Sequence, residues 1–167
     1  MSNPNNKAVN DNKREHDYVV PFLINNISVN GKFVNLSTSI TQIINQHEYP
    51  DNINHIMAEM LVFVSMLGQN LKSNGIVTAE LRSKDSEVEV IVVDFMYPGK
   101  IRACCHYNKD SLAEIHNKNF TELFTNGTLM ITADIGDNAK RYQGIVQISS
   151  DSLLESVMEY MRSSQQI

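Results

Sequence analysis

The stretch Ile53-Asn-His-Ile-Met-Ala-Glu-Met-Leu-Val-Phe-Val-Ser-Met-Leu-Gly-Gln-Asn-Leu71 decides how this chain folds. Apolar residues sit all the way round it when it is wound as a helix: Ile56, Met57, Met60, Leu61, Val62, Phe63, Val64, Met66, Leu67 and Leu71. A surface helix keeps a polar face, and this one keeps almost none. It must therefore be covered on more than one side. Burying those ten side chains contributes about 15–30 kcal/mol gross, at roughly 1.5–3 each. Conformational entropy cancels most of that. Asp51 is a candidate cap for this helix, and Asn74-Gly75 is expected to close it.

Upstream, Tyr18 to Asn26 reads as a strand with Pro21 inside it, which suits an edge or a strand start. Ile27 to Leu36 reads as a second strand, with a bend or bulge at Asn30-Gly31. Ser37 is the expected N-cap of a helix carrying Ile40, Ile43 and Ile44, which Pro50 stops. Downstream, strands are expected at Ile76 to Arg82, Glu87 to Tyr97, Ile101 to Asn108, Thr128 to Asp134 and Arg141 to Ile148. Turn signals fall at Lys84-Asp85, Pro98-Gly99, Asn126-Gly127 and Gly136-Asp137-Asn138. Leu112 to Phe124 is a short helix or a loop. Asp151 or Ser152 caps a last helix through Leu153, Leu154, Val157, Met158 and Met161. The sum is an α+β domain, antiparallel sheet packed around a central apolar helix.

The 167 residues suit one domain, 42% hydrophobic and 20% charged. Residues 1–17, rich in Asn, Asp and Lys, are read as a disordered polar tail, and 18–167 as the folded domain. That tail shows no apolar h-region of a signal peptide. The net charge of −5 and the lack of any basic run argue against nucleic acid as a partner. No segment reaches the roughly 20 apolar residues of a membrane span. Two adjacent cysteines, Cys104 and Cys105, are too few for a disulfide framework and suit a reduced, cytoplasmic protein.

Several short motifs then fall in one order. Val29-Asn30-Gly31-Lys32-Phe33-Val34-Asn35-Leu36 resembles the V-R-G-x-x-V-x-L strand of the 33-kDa chaperonin family, with Asn30 in place of Arg. His47-Glu48-Tyr49-Pro50 is similar to its H-x-Y-P, and Leu71-Lys72-Ser73-Asn74-Gly75 to its L-K-F-x-G turn. Asn126-Gly127-Thr128-Leu129-Met130-Ile131-Thr132 resembles its G-x-G-x-L-x-(I/M)-T strand. Arg141-Tyr142-Gln143-Gly144-Ile145-Val146 matches its R-Y-Q-G-x-V. Tyr160 to Ile167 resembles the Y-F-x-x-S-E-Q-(I/L) end of its domain, with Gln165 where Glu is usual.

The resemblance implies the N-terminal domain of a redox-regulated, ATP-independent heat-shock holdase of the bacterial cytoplasm. It implies two antiparallel β-sheets packed around a buried central helix. Its partners would be unfolded or partly folded client proteins, and activation would bring a homodimer. In the family a linker and a C-terminal zinc domain follow, with zinc held by C-x-C and C-x-x-C pairs. Neither pair occurs before Ile167, so the switch maps to no residue here, and no cofactor is expected within this chain. The expectation is constitutive, peroxide-insensitive activity.

The strand Glu87 to Phe95 offers the candidate client surface. Val88, Val90 and Val92 alternate on one face, assigned to the core. Ile91, Val93 and Phe95 then lie on the other face. They are expected to be bare, covered by a second copy, or covered by another part of the chain. Two other readings stand beside the holdase. One is a thiol-based enzyme using Cys104, Cys105 and His106. The bland version of that cluster is two ordinary strand cysteines on opposite faces, one packed as a small apolar group. The other is an inactive domain that only self-associates. No P-loop, G-x-G-x-x-G or H-E-x-x-H is present, so no catalysis is expected. Arg141-Tyr142-Gln143-Gly144 is read as structural, with Tyr142 for packing and Arg141 for a charge pair.

Overall fold

The computed structural model describes residues 16–71, 73–84, 86–135, 141–149 and 151–164. The turn expected at 136–138 and most of the expected polar tail lie outside the described residues, as does Asp85 of the turn expected at Lys84-Asp85. Seven strands form two antiparallel sheets. Strands β1 (Tyr18–Ile24) and β2 (Val29–Asn35) form a two-stranded hairpin. Strands β3 (Ile76–Arg82), β4 (Val88–Met96), β5 (Lys100–Tyr107), β6 (Thr128–Asp134) and β7 (Arg141–Gln147) form a five-stranded sheet in the order β5-β4-β3-β6-β7. Helices α1 (Ser37–Ile44) and α2 (Asp51–Gly68) lie between the two sheets in sequence. The short helices α3 (Leu112–His116) and α4 (Phe120–Leu123) link β5 to β6, and α5 (Leu153–Ser164) closes the order.

The apolar stretch is α2, and it packs on β3, β4 and β5, with β2 and α1 also against it. Ile53, Met57, Leu61 and Val64 are wholly buried. The cover is not complete. His55, Ala58, Glu59, Val62 and Met66, spaced three and four apart, form one stripe that stays partly or fully exposed. The helix ends at Gly68, earlier than Asn74-Gly75. The buried Phe95 ring lies where a Cβ on Gly68 would stand, so only glycine lets β4 come this close.

Capping departs from the sequence expectation in a physically simple way. The residue before α1 is Leu36, which has no side-chain oxygen to offer. Ser37 is already helical. The first-turn N–H groups of Thr38 and Ser39 donate instead to the Asp17 carboxylate, both at 3.0 Å. Asp17, assigned above to the tail, is thus part of the folded unit. Asp51 does not cap α2 either; it sits in the first turn, where its negative charge is favourable at the positive end of the helix dipole. Ser152 does cap α5, accepting from the Glu155 N–H at 3.3 Å.

The turns at Pro98-Gly99 and Asn126-Gly127 form where expected. Asn126 takes φ 53°, a left-handed value that Asn tolerates. Asn30-Gly31 makes no bend; it lies within β2. Gly31 instead leaves room for the Phe22 ring of the facing strand, which occupies the space of a would-be Cβ. The 112–124 stretch resolves into α3 and α4, the latter entered by a reciprocal cap between Asn119 and Glu122.

Candidate functional site

Val88 lies in the core as expected, but from Val90 onward the faces of β4 are the reverse of those expected. Ile91 and Val93 are 0% exposed and Phe95 3%, all turned toward α2. Val90 and Val92 lie half-exposed on the far side. The cause is a β-bulge. Val88 pairs with Tyr107 and Val90 with His106, so β4 spends an extra residue, Glu89, against a single step of β5. Val88 therefore shares the core face with Ile91, Val93 and Phe95, and strict alternation fails at that point. Of the three arrangements considered for these residues, cover by the same chain is the one found. They offer no surface to a client.

The far face of the five-stranded sheet is mixed. Asp94 accepts from Thr78 Oγ1 and Arg102 Nε, both at 2.5 Å, and the Asp94 carboxylate raises the Arg102 pKa above its ordinary value. Arg141 meets Asp134 at 3.4 Å, the charge pair expected of it. Tyr142, expected to pack, is 58% exposed.

The apolar surface lies elsewhere, on the hairpin. In the β1–β2 register Val20 faces Phe33, Phe22 faces Gly31, and Ile24 faces Val29. With Tyr18, these side chains line one face of the hairpin, and all are exposed except Gly31, which Phe22 covers. Phe22 is 47% exposed and Phe33 57%. The Tyr18 and Phe33 rings stack at 6.0 Å. On the opposite face Val19, Lys32 and Val34 are partly buried, while Pro21, Leu23 and Asn30 are exposed. From this face Lys32 Nζ donates to the Met66 carbonyl and Asn70 Oδ1 at 2.9 and 2.7 Å, tying the hairpin to the end of α2. Burial lowers the Lys32 pKa from its ordinary value. Among the described residues each strand of this hairpin pairs on one side only. It thus offers strand edges as well as an apolar face.

A second apolar surface follows from the uncovered stripe of α2. It forms the floor of a groove of about 420 Å³ whose sides are Ile40 of α1 and Leu153, Leu154 and Val157 of α5.

The cysteine cluster resolves into its two faces. Cys104 is exposed on the far side of the sheet, the side of His106 and Glu89, whose Nε2 and Oε2 atoms lie 3.6 Å apart. Cys105 faces inward, where its backbone N–H donates to the Tyr49 hydroxyl at 3.2 Å. Burial, with a smaller contribution from Cys104, pushes the Cys105 thiol up to about 12. A nucleophile needs the thiolate, and at neutral pH this sulfur is a thiol. Alkylation of Cys105 in a Cys104→Ser variant is therefore expected to be very slow at pH 8 and to rise only at strongly alkaline pH. Fast labelling at pH 8 would restore the enzyme reading. Among the described residues no three His, Cys, Asp or Glu side chains converge as metal ligands would.

The His47-Glu48-Tyr49-Pro50 motif has a structural role. His47 stacks on Tyr49 at 4.9 Å, and Tyr49 meets Tyr107 edge-on at 6.0 Å. With the Cys105 bond, this pins the α1–α2 connection to β5. No described helix is long and apolar enough to cross a membrane.

The family model for "Hsp33 protein" matches residues 17–167. The chain belongs to the Hsp33 family. Its first matched residue is Asp17, the one that caps α1. Among curated relatives, the 33 kDa chaperonin of Caulobacter vibrioides is 27% identical over 155 residues, covering 90% of this chain and 51% of the relative. The 33 kDa chaperonin of Pseudoalteromonas atlantica is 31% identical over 151 residues, covering 90% and 50%. This chain thus spans about half the length of the Hsp33 relatives it matches. Among solved structures, the 33 kDa chaperonin of Thermotoga maritima superposes with a TM-score of 0.75 at 15% identity, over 91% of this chain and 52% of that one. That likeness establishes the fold.

Proposed function

We propose that this chain is an ATP-independent holdase module that captures unfolding proteins on the outward face of the β1–β2 hairpin. The observation that carries this reading is a contiguous row of exposed aromatic and aliphatic side chains on an isolated two-stranded sheet. Such a hairpin buries little of its own apolar surface. An extended client segment gains from it twice, by apolar contact and by pairing its backbone with a free strand edge. Membership of the Hsp33 family supports the chaperone class. The work is done in the bacterial cytoplasm, without catalysis and without a cofactor in this chain. A homodimer belongs to the same reading, as the state that accompanies activation. Control by a zinc-bound redox switch would be supplied by chain outside these residues.

Light scattering from a heat-unfolded client tests the reading. At several-fold excess of this chain and with no ATP, scattering is expected to fall, and added ATP is expected to change nothing. Undiminished scattering at that excess rejects the proposal.

A further inference from the structure

We propose that the groove between α1, α2 and α5 receives an amphipathic helix with a basic flank, presented by a partner protein. The first observation is the chemistry of the lining. The groove is walled by side chains that are almost wholly apolar, and it offers a guest backbone no ladder of N–H and C=O groups. An extended peptide buried there would leave its own backbone polar groups unpaired, at a cost comparable to a lost hydrogen bond for each. A helix satisfies those groups internally, so a helix is the guest that fits. The second observation is length. The floor is one stripe of α2 running from His55 to Met66, about 17 Å at 1.5 Å per residue, or roughly three helical turns. A guest with apolar residues at i, i+3, i+4 and i+7 matches it.

The third observation is charge, and it selects the guest's flank. Among the described residues, Glu59 is the one acidic residue lining the groove, and no Lys or Arg lines it. Its carboxylate is half-exposed, with His55 Nε2 at 3.4 Å. A Lys or Arg on the guest meets Glu59 at the rim, whereas a Glu there is repelled. This site shares no lining residue with the outward face of the hairpin, although Lys32 of the hairpin bonds the Met66 carbonyl at one end of the floor, and its occupation does not depend on the hairpin binding clients.

Fluorescence anisotropy with two labelled helical peptides tests the proposal. Both carry the same Leu face over about three turns; one is flanked by Lys and the other by Glu. The Lys peptide is expected to bind about fivefold tighter at low salt, as one rim pair exchanged for a repulsion would give. High salt narrows the difference. Glu59→Lys reverses the preference. Glu114→Lys makes the same charge change at an exposed position that does not line the groove, and it leaves the preference in place. Val62→Arg, on the floor, abolishes binding of both peptides. Leu154→Ser, at a side chain 64% exposed and so safe for the fold, weakens both. Equal affinity for the two peptides overturns the proposal. So do equal effects of the two Glu→Lys changes, or unaltered binding to both groove variants. Loss of peptide binding in a Phe22→Thr/Phe33→Thr variant would move the site to the hairpin and also overturn it. Failure of the client assay with peptide binding intact would reject the holdase alone.

Discussion

A Phe22→Thr/Phe33→Thr variant is expected to lose client affinity by roughly 30-fold, and with it protection against aggregation at modest excess. Each ring is about half exposed in the free chain. Completing the burial of a Phe from that point contributes about 1 kcal/mol, half of its full value. Two rings together give about 2 kcal/mol, and each 1.4 kcal/mol is tenfold in affinity. Threonine keeps the β-branched preference for strands, so the hairpin is retained. Ile145→Thr is the matched control. It removes an exposed apolar side chain, 61% accessible, from the five-stranded sheet, and protection is expected to be unchanged. If the double variant keeps its far-UV spectrum and still protects as the parent does, the client surface is not the hairpin.

The second large effect separates the two faces of β4. Ile91→Lys is expected to destabilise the fold by about 3–5 kcal/mol, since it leaves an uncompensated ammonium among core side chains. Ile91 has no exposed surface through which the charge could reach water. Val92→Lys, one residue on, is expected to cost under about 1 kcal/mol. Val92 lies on the far face directly across from Glu80, so the new cation gains an opposite charge. Urea denaturation of the two variants measures the contrast. Similar midpoints for both, or a larger loss for Val92→Lys, would mean that the bulge at Glu89 is misplaced and the strand alternates without interruption.

The candidate site was only partly legible before folding. The strand Tyr18 to Asn26 was readable, and so was its density of apolar residues on both faces. That density is the signal of a surface needing cover, but Val88 to Phe95 carries the same signal more regularly, so local pattern does not rank the two. The thiol cluster was legible in full: adjacent strand residues must point to opposite faces, as Cys104 and Cys105 do.

Local pattern alone determined the elements and their class. A helix apolar on nearly every side, period-two strands and Asn-Gly or Pro-Gly turns each depend on neighbours within a few residues. Motif order extended that to family membership. Which face of β4 is the core was decided by its pairing with β5, where one extra residue at Glu89 inverts everything after it. Which end of the chain caps α1 was decided by a contact across 21 residues. And whether an apolar surface is bare was decided by what packs against it: α2 seals Ile91, Val93 and Phe95, while no described residue covers the outer face of the hairpin. Exposure is a property of the assembled neighbours, and no window along the chain contains them.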